Sequence, residues 1–391
     1  MKTISLELSV WNRGRTASQS MRSLLEARFA SRNIEVHIHP YEQPWQEIMH
    51  TLLYGIGPDV SEVGSTWVRS LAGGNGLRPI GREILPPGKM SLFVCPYWDE
   101  SQPEIFSVPF LVETRVIFYR RAALAAAGVD ESSAFSTPQK FLETLGTLKA
   151  HGFSTPLLLP LTERYENLSL ASSWVWGAGG EYVSSDGKKA LFDQEAVLQG
   201  LADYFALREY LSPQVFEISN PGWEFVTSDY PVTMGGPWIY YTLLENPPKE
   251  GALSEQFGVA LPPGQTYQGG TNLVIWRQTR HPELTAELVQ YLTSFEFQSQ
   301  WKANILPARR DVLSLPIYME DHFLKVMVES TLKGRSYSNS PLWGVVEDRL
   351  SRELQRAWQE LLQDPTSQPM DVLRRLLVPL ARRINNTLQS N

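Results

Sequence analysis

The sequence contains a single cysteine, Cys95, among 391 residues. One cysteine excludes an internal disulfide framework and a cysteine-based zinc site, although it leaves the redox compartment open. No apolar run approaches the ~18 consecutive residues that a membrane-spanning helix needs. The formal net charge is −7 and no long basic run occurs, so we expect no nucleic-acid partner.

Motifs of catalytic and cofactor sites are also missing. We find no Gly-x-Ser-x-Gly elbow and no P-loop, and the "GGNG" of residues 73–76 lacks the context of a dinucleotide site. His37 and His39 alternate on one predicted strand face, but no third metal ligand follows at a recognisable spacing. We therefore predict no catalytic residue, no metal site and no cofactor.

The first ~110 residues follow the pattern of an open α/β domain. Hydrophobic periodicity predicts a strand at 4–10, a helix at 17–32, a strand at 34–40, a helix at 43–54 and a strand at 59–65. This βαβ order requires a parallel sheet, in which ligands collect at the carboxyl ends of the strands. Trp11, Asn12 and Ser65–Trp67 come just past two of these ends.

The length predicts two or three domains, and the chain shows neither a repeat nor a low-complexity linker. Domains without a linker indicate that the chain crosses between them more than once. Further along, the pattern predicts a strand and helix over 106–128, a helix over 136–152, one amphipathic helix over 282–304, and a helical tail from Ser340 interrupted by Pro365, Pro369 and Pro379.

Aromatic residues make up 11% of the chain and include 12 tryptophans. Several of them stand beside turn residues, namely Trp11, Trp67, Trp176 and Trp238. In "VTMGGPWIYY", the turn at Gly235-Gly236-Pro237 is followed at once by Trp238. Proline at the first position of a helix explains part of this segment, and an exposed binding surface is the alternative.

Five fragments in order resemble the extracytoplasmic solute-binding proteins of bacterial ABC importers, in the maltose-binding-protein-like branch that carries sugars and oligosaccharides. They are "VPFLVETRVIFYRRAALAAAGV", "VTMGGPWIYY" with its Met-x-x-Gly-Pro-Trp turn, "FGVALPPG…GGTNLVIW", "HPELTAELVQYLTSFEFQSQW" and "LPARRDV". The resemblance covers nearly the whole chain.

The resemblance implies an α/β periplasmic-binding-protein fold of type II, with two lobes, hinge strands and a ligand cleft at their interface. The N-terminal lobe would comprise 1–112 with 271–313, and the C-terminal lobe 113–270 with 314–391. We expect a monomer that binds a mono- or oligosaccharide by hinge closure, catalyses no reaction, and delivers the sugar to membrane-embedded ABC permease subunits.

A pyranose offers apolar C–H faces to aromatic rings and a rim of hydroxyls to charged and amide groups. The candidate ligand-binding residues are Trp11, Asn12, Glu42, Ser65, Trp67, Glu113, Arg115, Trp176, Trp238, Gly270, Asn272 and Arg309. Several of them have a structural alternative: the tryptophans could belong to the core, Glu113 and Arg115 could form a hinge ion pair on one strand face, Arg309 could be solvated, and Gly270 could serve backbone flexibility.

Other functions and locations stay open from the sequence. A glycosidase needs two carboxylates across the scissile bond, and 42 acidic residues do not exclude such a pair. A ligand-sensing domain of a larger receptor is the third alternative. The resemblance implies a periplasmic or extracellular, membrane-associated protein, yet the first residues lack the apolar segment of a leader, so a cytoplasmic location also stays open.

Overall fold

A computed structural model of the chain describes residues 3–81, 84–85, 88–94, 104–337 and 343–389. The chain divides into two compact units. Unit 1 comprises Met1–Glu113 and Gly269–Met319, and unit 2 comprises Thr114–Gln268 and Glu320–Asn391. Cys95 and the predicted beginning of the tail at Ser340 lie outside the described residues.

The strands form two sheets. In chain order they are β1 (Ile4–Val10), β2 (Ile34–Pro40), β3 (Val60–Gly64), β4 (Ser107–Thr114), β5 (Val116–Arg120), β6 (Leu157–Leu158), β7 (Val232–Gly235), β8 (Phe257–Ala260), β9 (Gln268–Ile275) and β10 (Leu306–Pro307). One sheet has the order β10-β4-β9-β3-β1-β2, and the other has the order β6-β7-β5-β8.

Helices occur in both sequence segments of each unit. They are α1 (Gly14–Phe29), α2 (Pro44–Tyr54), α3 (Val68–Gly73), α4 (Arg121–Ala126), α5 (Pro138–Ala150), α6 (Arg164–Gly177), α7 (Glu195–Phe205), α8 (Pro221–Thr227), α9 (Pro237–Glu245), α10 (Leu253–Gln256), α11 (Pro282–Leu292), α12 (Phe295–Gln300), α13 (Arg310–Leu313), α14 (Pro316–Met319), α15 (His322–Lys333), α16 (Trp343–Gln363) and α17 (Pro369–Gln389). Among the helices of the described ranges, none is both long and apolar enough to cross a bilayer.

The predicted βαβ unit at the beginning of the chain is confirmed. β1 pairs in parallel with both β2 and β3. In β1, Leu6 and Leu8 are fully buried while Ser5 is exposed, which follows from the alternation of side chains along a strand. α1 buries Met21 and Leu25, one helical turn apart, against the same core. Because β1 and β3 are parallel, their carboxyl ends lie at the same edge of the sheet.

The prediction of one strand through "VETRVIFY" is wrong at Arg115. β4 ends at Thr114 in the six-stranded sheet, and β5 begins at Val116 in the four-stranded sheet. The Nη1 group of Arg115 donates to the carbonyl of Thr114 at 3.0 Å. Because the strand is interrupted here, strand alternation does not relate the directions of Glu113 and Arg115.

The single amphipathic helix predicted over 282–304 is two helices. α11 ends at Leu292, and α12 begins at Phe295. Between them, the hydroxyl of Ser294 accepts a hydrogen bond from the backbone N–H of Phe297 at 3.1 Å. This side-chain cap starts a new helix and explains why an unbroken apolar periodicity does not give one continuous helix.

The helical tail is confirmed over 343–363 and 369–389, but Pro379 does not interrupt it. Pro365 lies between the two helices, Pro369 is the first residue of α17, and Pro379 lies within α17. Leu377 and Leu380 beside it are almost fully buried. Burial of this face compensates for the backbone hydrogen bond that proline cannot make.

A buried asparagine links three helices of unit 2. The Oδ1 atom of Asn167 in α6 accepts hydrogen bonds from the indole of Trp358 in α16, at 2.8 Å, and from the hydroxyl of Tyr204 in α7, at 3.1 Å. Asn167 and Trp358 are fully buried. The carbonyl oxygen of Asn167 is thus doubly hydrogen-bonded and links α6, α7 and α16, as a buried acceptor requires.

Candidate functional site

Unit 1 gathers aromatic side chains at the carboxyl edge of its parallel strands. Trp11 directly follows β1, and Trp67 ends the short 3₁₀ turn that follows β3. Their ring centroids are 5.9 Å apart. Tyr41, which follows β2, lies 6.2 Å from Trp11 in an edge-to-face arrangement. The structure therefore brings two predicted tryptophans together, as the parallel order of β1 and β3 requires.

The most exposed ring of this edge is one that sequence reasoning missed. Trp45 is 37% exposed and its centroid lies 4.9 Å from that of Trp67, which is only 7% exposed. Trp45 follows Pro44, the first residue of α2, just as Trp238 follows Pro237, the first residue of α9. This repeated Pro-Trp helix start was the sequence signal for Trp45.

A fully buried carboxylate holds Trp11 in place. The Oε2 atom of Glu62 accepts hydrogen bonds from the backbone N–H of Trp11 at 3.0 Å and from Arg13 Nη1 at 2.7 Å. Its Oε1 atom accepts from Arg13 Nη2 and from the hydroxyl of Thr271, both at 2.5 Å. The charge of Glu62 is thus both paired and hydrogen-bonded, as a buried carboxylate requires.

Asn12 and Glu42 are the exposed polar candidates of unit 1. The Oδ1 atom of Asn12 accepts from the backbone N–H of Gly14 at 3.1 Å and so supports the beginning of α1. Glu42 and Tyr41 both line a pocket of about 710 Å³. Residues of β1, β2, β3 and α2 also form part of its wall. The side chains of Asn12 and Glu42 are both accessible to a solute.

Ser65, Gly270 and Asn272 are buried, and each has a structural role. The hydroxyl of Ser65 donates to the carbonyl of Gly270 at 3.0 Å, and the amide of Asn272 donates to the hydroxyl of Ser107 at 2.7 Å. Gly270 has φ +145°, and a Cβ atom there would collide with the carbonyl of Leu111 in β4. Close approach of two backbones explains this glycine.

Arg309 is engaged by its own unit. It forms a two-pronged ion pair with Asp311, with N–O distances of 2.9 and 2.6 Å, and its Nη1 group donates to the carbonyl of Thr293 at 3.3 Å. The guanidinium also lies 5.5 Å from the ring of Phe93. These contacts favour a structural role over ligand binding.

In unit 2, Arg115 lies between two aromatic rings. Its Cζ atom is 4.9 Å from the centroid of Trp238 and 5.1 Å from that of Tyr267. Arg115 is 4% exposed, and it donates to Glu166 at 2.6 Å and to the hydroxyl of Ser169 at 3.0 Å. A paired guanidinium between two rings fixes both by cation–π attraction, which makes Arg115 a support for Trp238.

The two glycines before Trp238 make room for two different side chains. Trp238 lies in the first turn of α9, directly after Pro237, and its side chain is partly exposed. The ring folds back over Gly236, where any Cβ atom would overlap it, whereas a Cβ atom at Gly235 would collide with the side chain of Ile239. The position of the indole therefore requires Gly236, and the packing of Ile239 requires Gly235.

Trp176 is the next-to-last residue of α6, and most of its ring is covered. It is 7% exposed, and the ring of Tyr267 lies nearly parallel to it at a centroid distance of 6.5 Å. The guanidinium of Arg335, which forms an ion pair with Glu181, is 5.3 Å from the Trp176 ring. Trp176 and Trp238 are thus connected through Tyr267 and Arg115, whereas Glu113 lies partly buried on β4 of the other sheet.

The tyrosines behind Trp176 are neutral hydrogen-bonding groups. Burial raises the pKa of the Tyr182 and Tyr337 hydroxyls well above the ordinary tyrosine value, and burial also raises the pKa of Tyr41 in unit 1. The hydroxyl oxygen of Ser172 lies 3.2 Å from the hydroxyl oxygens of both Tyr182 and Tyr337.

In the described part of the chain, no cluster of three or more His, Cys, Asp or Glu side chains could hold a metal ion.

Comparison with known proteins decides the family. The model of the bacterial extracellular solute-binding proteins matches residues 17–298. The chain belongs to this family. The resemblance inferred from the sequence is therefore confirmed.

Individual relatives are more distant. An arabinooligosaccharide-binding protein of Halalkalibacterium halodurans is 23% identical over 304 residues, which cover 73% of this chain and 66%, just under two thirds, of that protein. A solute-binding protein from Thermotoga lettingae, bound with α-D-tagatose, has a TM-score of 0.81 at 20% identity, covering 99% of this chain and all of that one.

The sugar-binding protein MalE of Xanthomonas citri has a TM-score of 0.78 at 20% identity, covering 99% of this chain and 98% of that one. At these identities the matches show the fold alone. They confirm the predicted fold class, the α/β fold of the periplasmic binding proteins.

Proposed function

We propose that this solute-binding protein binds an uncharged carbohydrate, a mono- or oligosaccharide, and delivers it unchanged to the membrane-embedded subunits of an ABC importer. We also propose that units 1 and 2 are the two lobes that the resemblance implies. The relatives that bind arabinooligosaccharides, tagatose and other sugars support this choice of solute.

The observation that carries the proposal is the support of Trp238. Its ring is partly exposed, the guanidinium of Arg115 lies 4.9 Å from the ring centroid, and the ring lies directly over Gly236. A rigid aromatic surface costs little conformational entropy when a ligand binds. Such a ring suits the apolar face of a pyranose.

Unit 1 offers a second aromatic surface of the same kind. Trp11 is partly buried and is held by Glu62, while the ring of Trp45 is more than one third exposed. That residues of both units contact one ligand stays a prediction. It requires that Trp45→Ala in unit 1 and Trp238→Ala in unit 2 each weaken binding of the same sugar.

The family supports a location outside the cytoplasm. Its members are extracellular solute-binding proteins, so we propose that this protein acts in the periplasm or outside the cell, at the membrane that carries its importer. The permease would receive the sugar from the protein without any covalent step. Reconstitution with the permease of the same importer, and measurement of sugar-stimulated ATP hydrolysis, tests this partner.

A thermal-shift screen tests the choice of solute. The panel contains mono-, di- and trisaccharides, with amino acids and dipeptides as controls. A ligand at a hundred times its Kd should stabilise the folded protein by ~2.7 kcal/mol, which gives a clear rise in Tm. A rise with amino acids or dipeptides and none with any carbohydrate would overturn the proposal.

A further inference from the structure

A pocket of about 560 Å³ lies entirely within unit 2. Its wall is formed by the end of α6, the turn that follows it and the segment after α15, including Trp176, Glu181, Ser184, Ser185, Arg335 and Tyr337. Small-molecule sites in proteins commonly have volumes of about 300–1,000 Å³ and combine aromatic walls with a few polar groups. This pocket has both features.

Its polar groups are dominated by one ion pair. Glu181 and Arg335 form a salt bridge through one carboxylate oxygen and one guanidinium nitrogen, and their side chains are 44% and 41% exposed. A carboxylate can accept several hydrogen bonds and a guanidinium can donate five. The pair therefore keeps acceptor and donor capacity next to each other while its net charge is zero.

Contacts of both its side chain and its backbone hold Arg335 in position. Its Cζ atom lies 5.3 Å from the ring centroid of Trp176. Its backbone N–H donates to the carbonyl of Thr266, and its carbonyl accepts from Gln268, both at 2.8 Å. Because Trp176 is covered by Arg335 and by Tyr267, it offers no open face for stacking, and its role in the pocket is to position Arg335.

Two adjacent hydroxyls of a sugar ring match this arrangement. One hydroxyl can donate to the carboxylate of Glu181 while its neighbour accepts from the guanidinium of Arg335, and both bonds are charge-assisted. The hydroxyl of Ser185, which is exposed and lines the same pocket, can serve a third. An anion would meet the carboxylate, so the pair favours an uncharged polyol.

We propose that Glu181 and Arg335, positioned by Trp176, form a separate sugar subsite within unit 2. The subsite holds one sugar unit of a ligand whose other units are bound outside this pocket. Because only a longer carbohydrate reaches the subsite, it sets the preference for chain length. This inference rests on the proposed function. It goes beyond that function by assigning chain-length preference to a specific ion pair.

The experiment compares chain lengths across variants of the full chain. Isothermal titration measures Kd for arabinose, arabinobiose and arabinotriose, and for glucose, maltose and maltotriose. Glu181→Gln and Arg335→Gln remove the charges and should raise the Kd of the tightest-binding trisaccharide about tenfold. The Kd of the matching monosaccharide should change less than about twofold, because the monosaccharide does not reach the subsite.

Two further variants separate the subsite from general damage. Ser185→Trp fills the pocket and leaves the ion pair intact, so it should weaken trisaccharide binding to the same degree. Lys188→Gln removes an exposed charge from the same turn without altering the pocket wall and should bind like the wild type. Trp176→Ala should reduce trisaccharide affinity, and Trp176→Phe should restore it because a ring again supports Arg335.

The outcomes are distinguishable. If the variants change the Kd of mono- and trisaccharide equally, or change neither, the subsite is wrong. If the wild type binds a sugar with no gain from chain length, the subsite is also wrong while the proposed function stands. If the wild type binds no sugar of the panel, both fail together. Unchanged Tm values for Glu181→Gln and Arg335→Gln confirm that folding is intact.

Discussion

Removing the ring of Trp238 should damage binding more than folding. The ring is partly exposed, it lies over Gly236, and its centroid is 4.9 Å from the guanidinium carbon of Arg115. As an aromatic anchor it should contribute about 2–4 kcal/mol to binding. Trp238→Ala should therefore weaken sugar affinity about 30- to 1,000-fold.

The cost to stability follows from the same contacts. A fully buried Trp→Ala change costs about 3–5 kcal/mol, but a partly exposed ring leaves a hollow that water can fill. The lost cation–π contact contributes about 0.5–2 kcal/mol. Arg115 keeps its ion pair with Glu166, so no buried charge is left unpaired. We expect a loss of about 1–2 kcal/mol in the free energy of unfolding.

Titration and urea denaturation of the same variant separate the two effects. Trp223→Ala is the matched control, since Trp223 is an exposed tryptophan of the same unit, at 48% exposure. It should leave both quantities nearly unchanged. Near-native affinity of Trp238→Ala together with a loss of more than about 3 kcal/mol of stability would refute the reasoning and make Trp238 a packing residue.

Three further predictions address backbone, pH and charge. Gly270→Ala should cost about 3 kcal/mol or more in urea denaturation, because φ is +145° and the new methyl group meets Leu111; an unchanged midpoint would contradict this. Hydrogen bonds from Thr366 and Ser367 lower the pKa of Asp364 from 3.8 to about 2. A lowered carboxyl pKa stabilises the fold above pH 3.8 and this gain disappears towards pH 2, so the Tm difference between wild type and Asp364→Asn should shrink over that range. Sugar phosphates should raise Tm less than the parent sugars, and the opposite order would exclude a neutral-solute site.

Local periodicity predicted the part of the site that depends on sheet topology. Alternation identified β1 and β3, and the parallel order brings Trp11 and Trp67 to one edge. It could not show that the chain changes sheets at Arg115, because residues on both sides read as strand. The segment alone also gives no hint of Glu166, the partner that makes Arg115 a support.

The residues near Trp176 that sequence reasoning missed depend on contacts between distant segments. Tyr267 and Arg335 lie side by side because the backbones of residues 266–268 and 335 pair, although helices and turns separate them in the chain. Glu181 reaches Arg335 from a third segment. In the sequence, neither Glu181 nor Arg335 stands out by residue type or spacing. Only the folded chain shows that they lie around the same pocket as Trp176, and the positioning role that we propose for Trp176 rests on these contacts.

The aromatic clusters share one electrostatic arrangement. Three arginines beside them are each paired with a carboxylate: Arg13 with Glu62, Arg115 with Glu166, and Arg335 with Glu181. A paired arginine attracts an approaching anion little, since the carboxylate repels it and breaking the pair is costly where both groups are buried. The exposed pair keeps its capacity to donate and accept hydrogen bonds, and the buried pairs hold rings and backbone in place. A surface of fixed rings and locally neutral charge meets the needs of an uncharged polyol, whose hydroxyls require both donors and acceptors but no counter-ion.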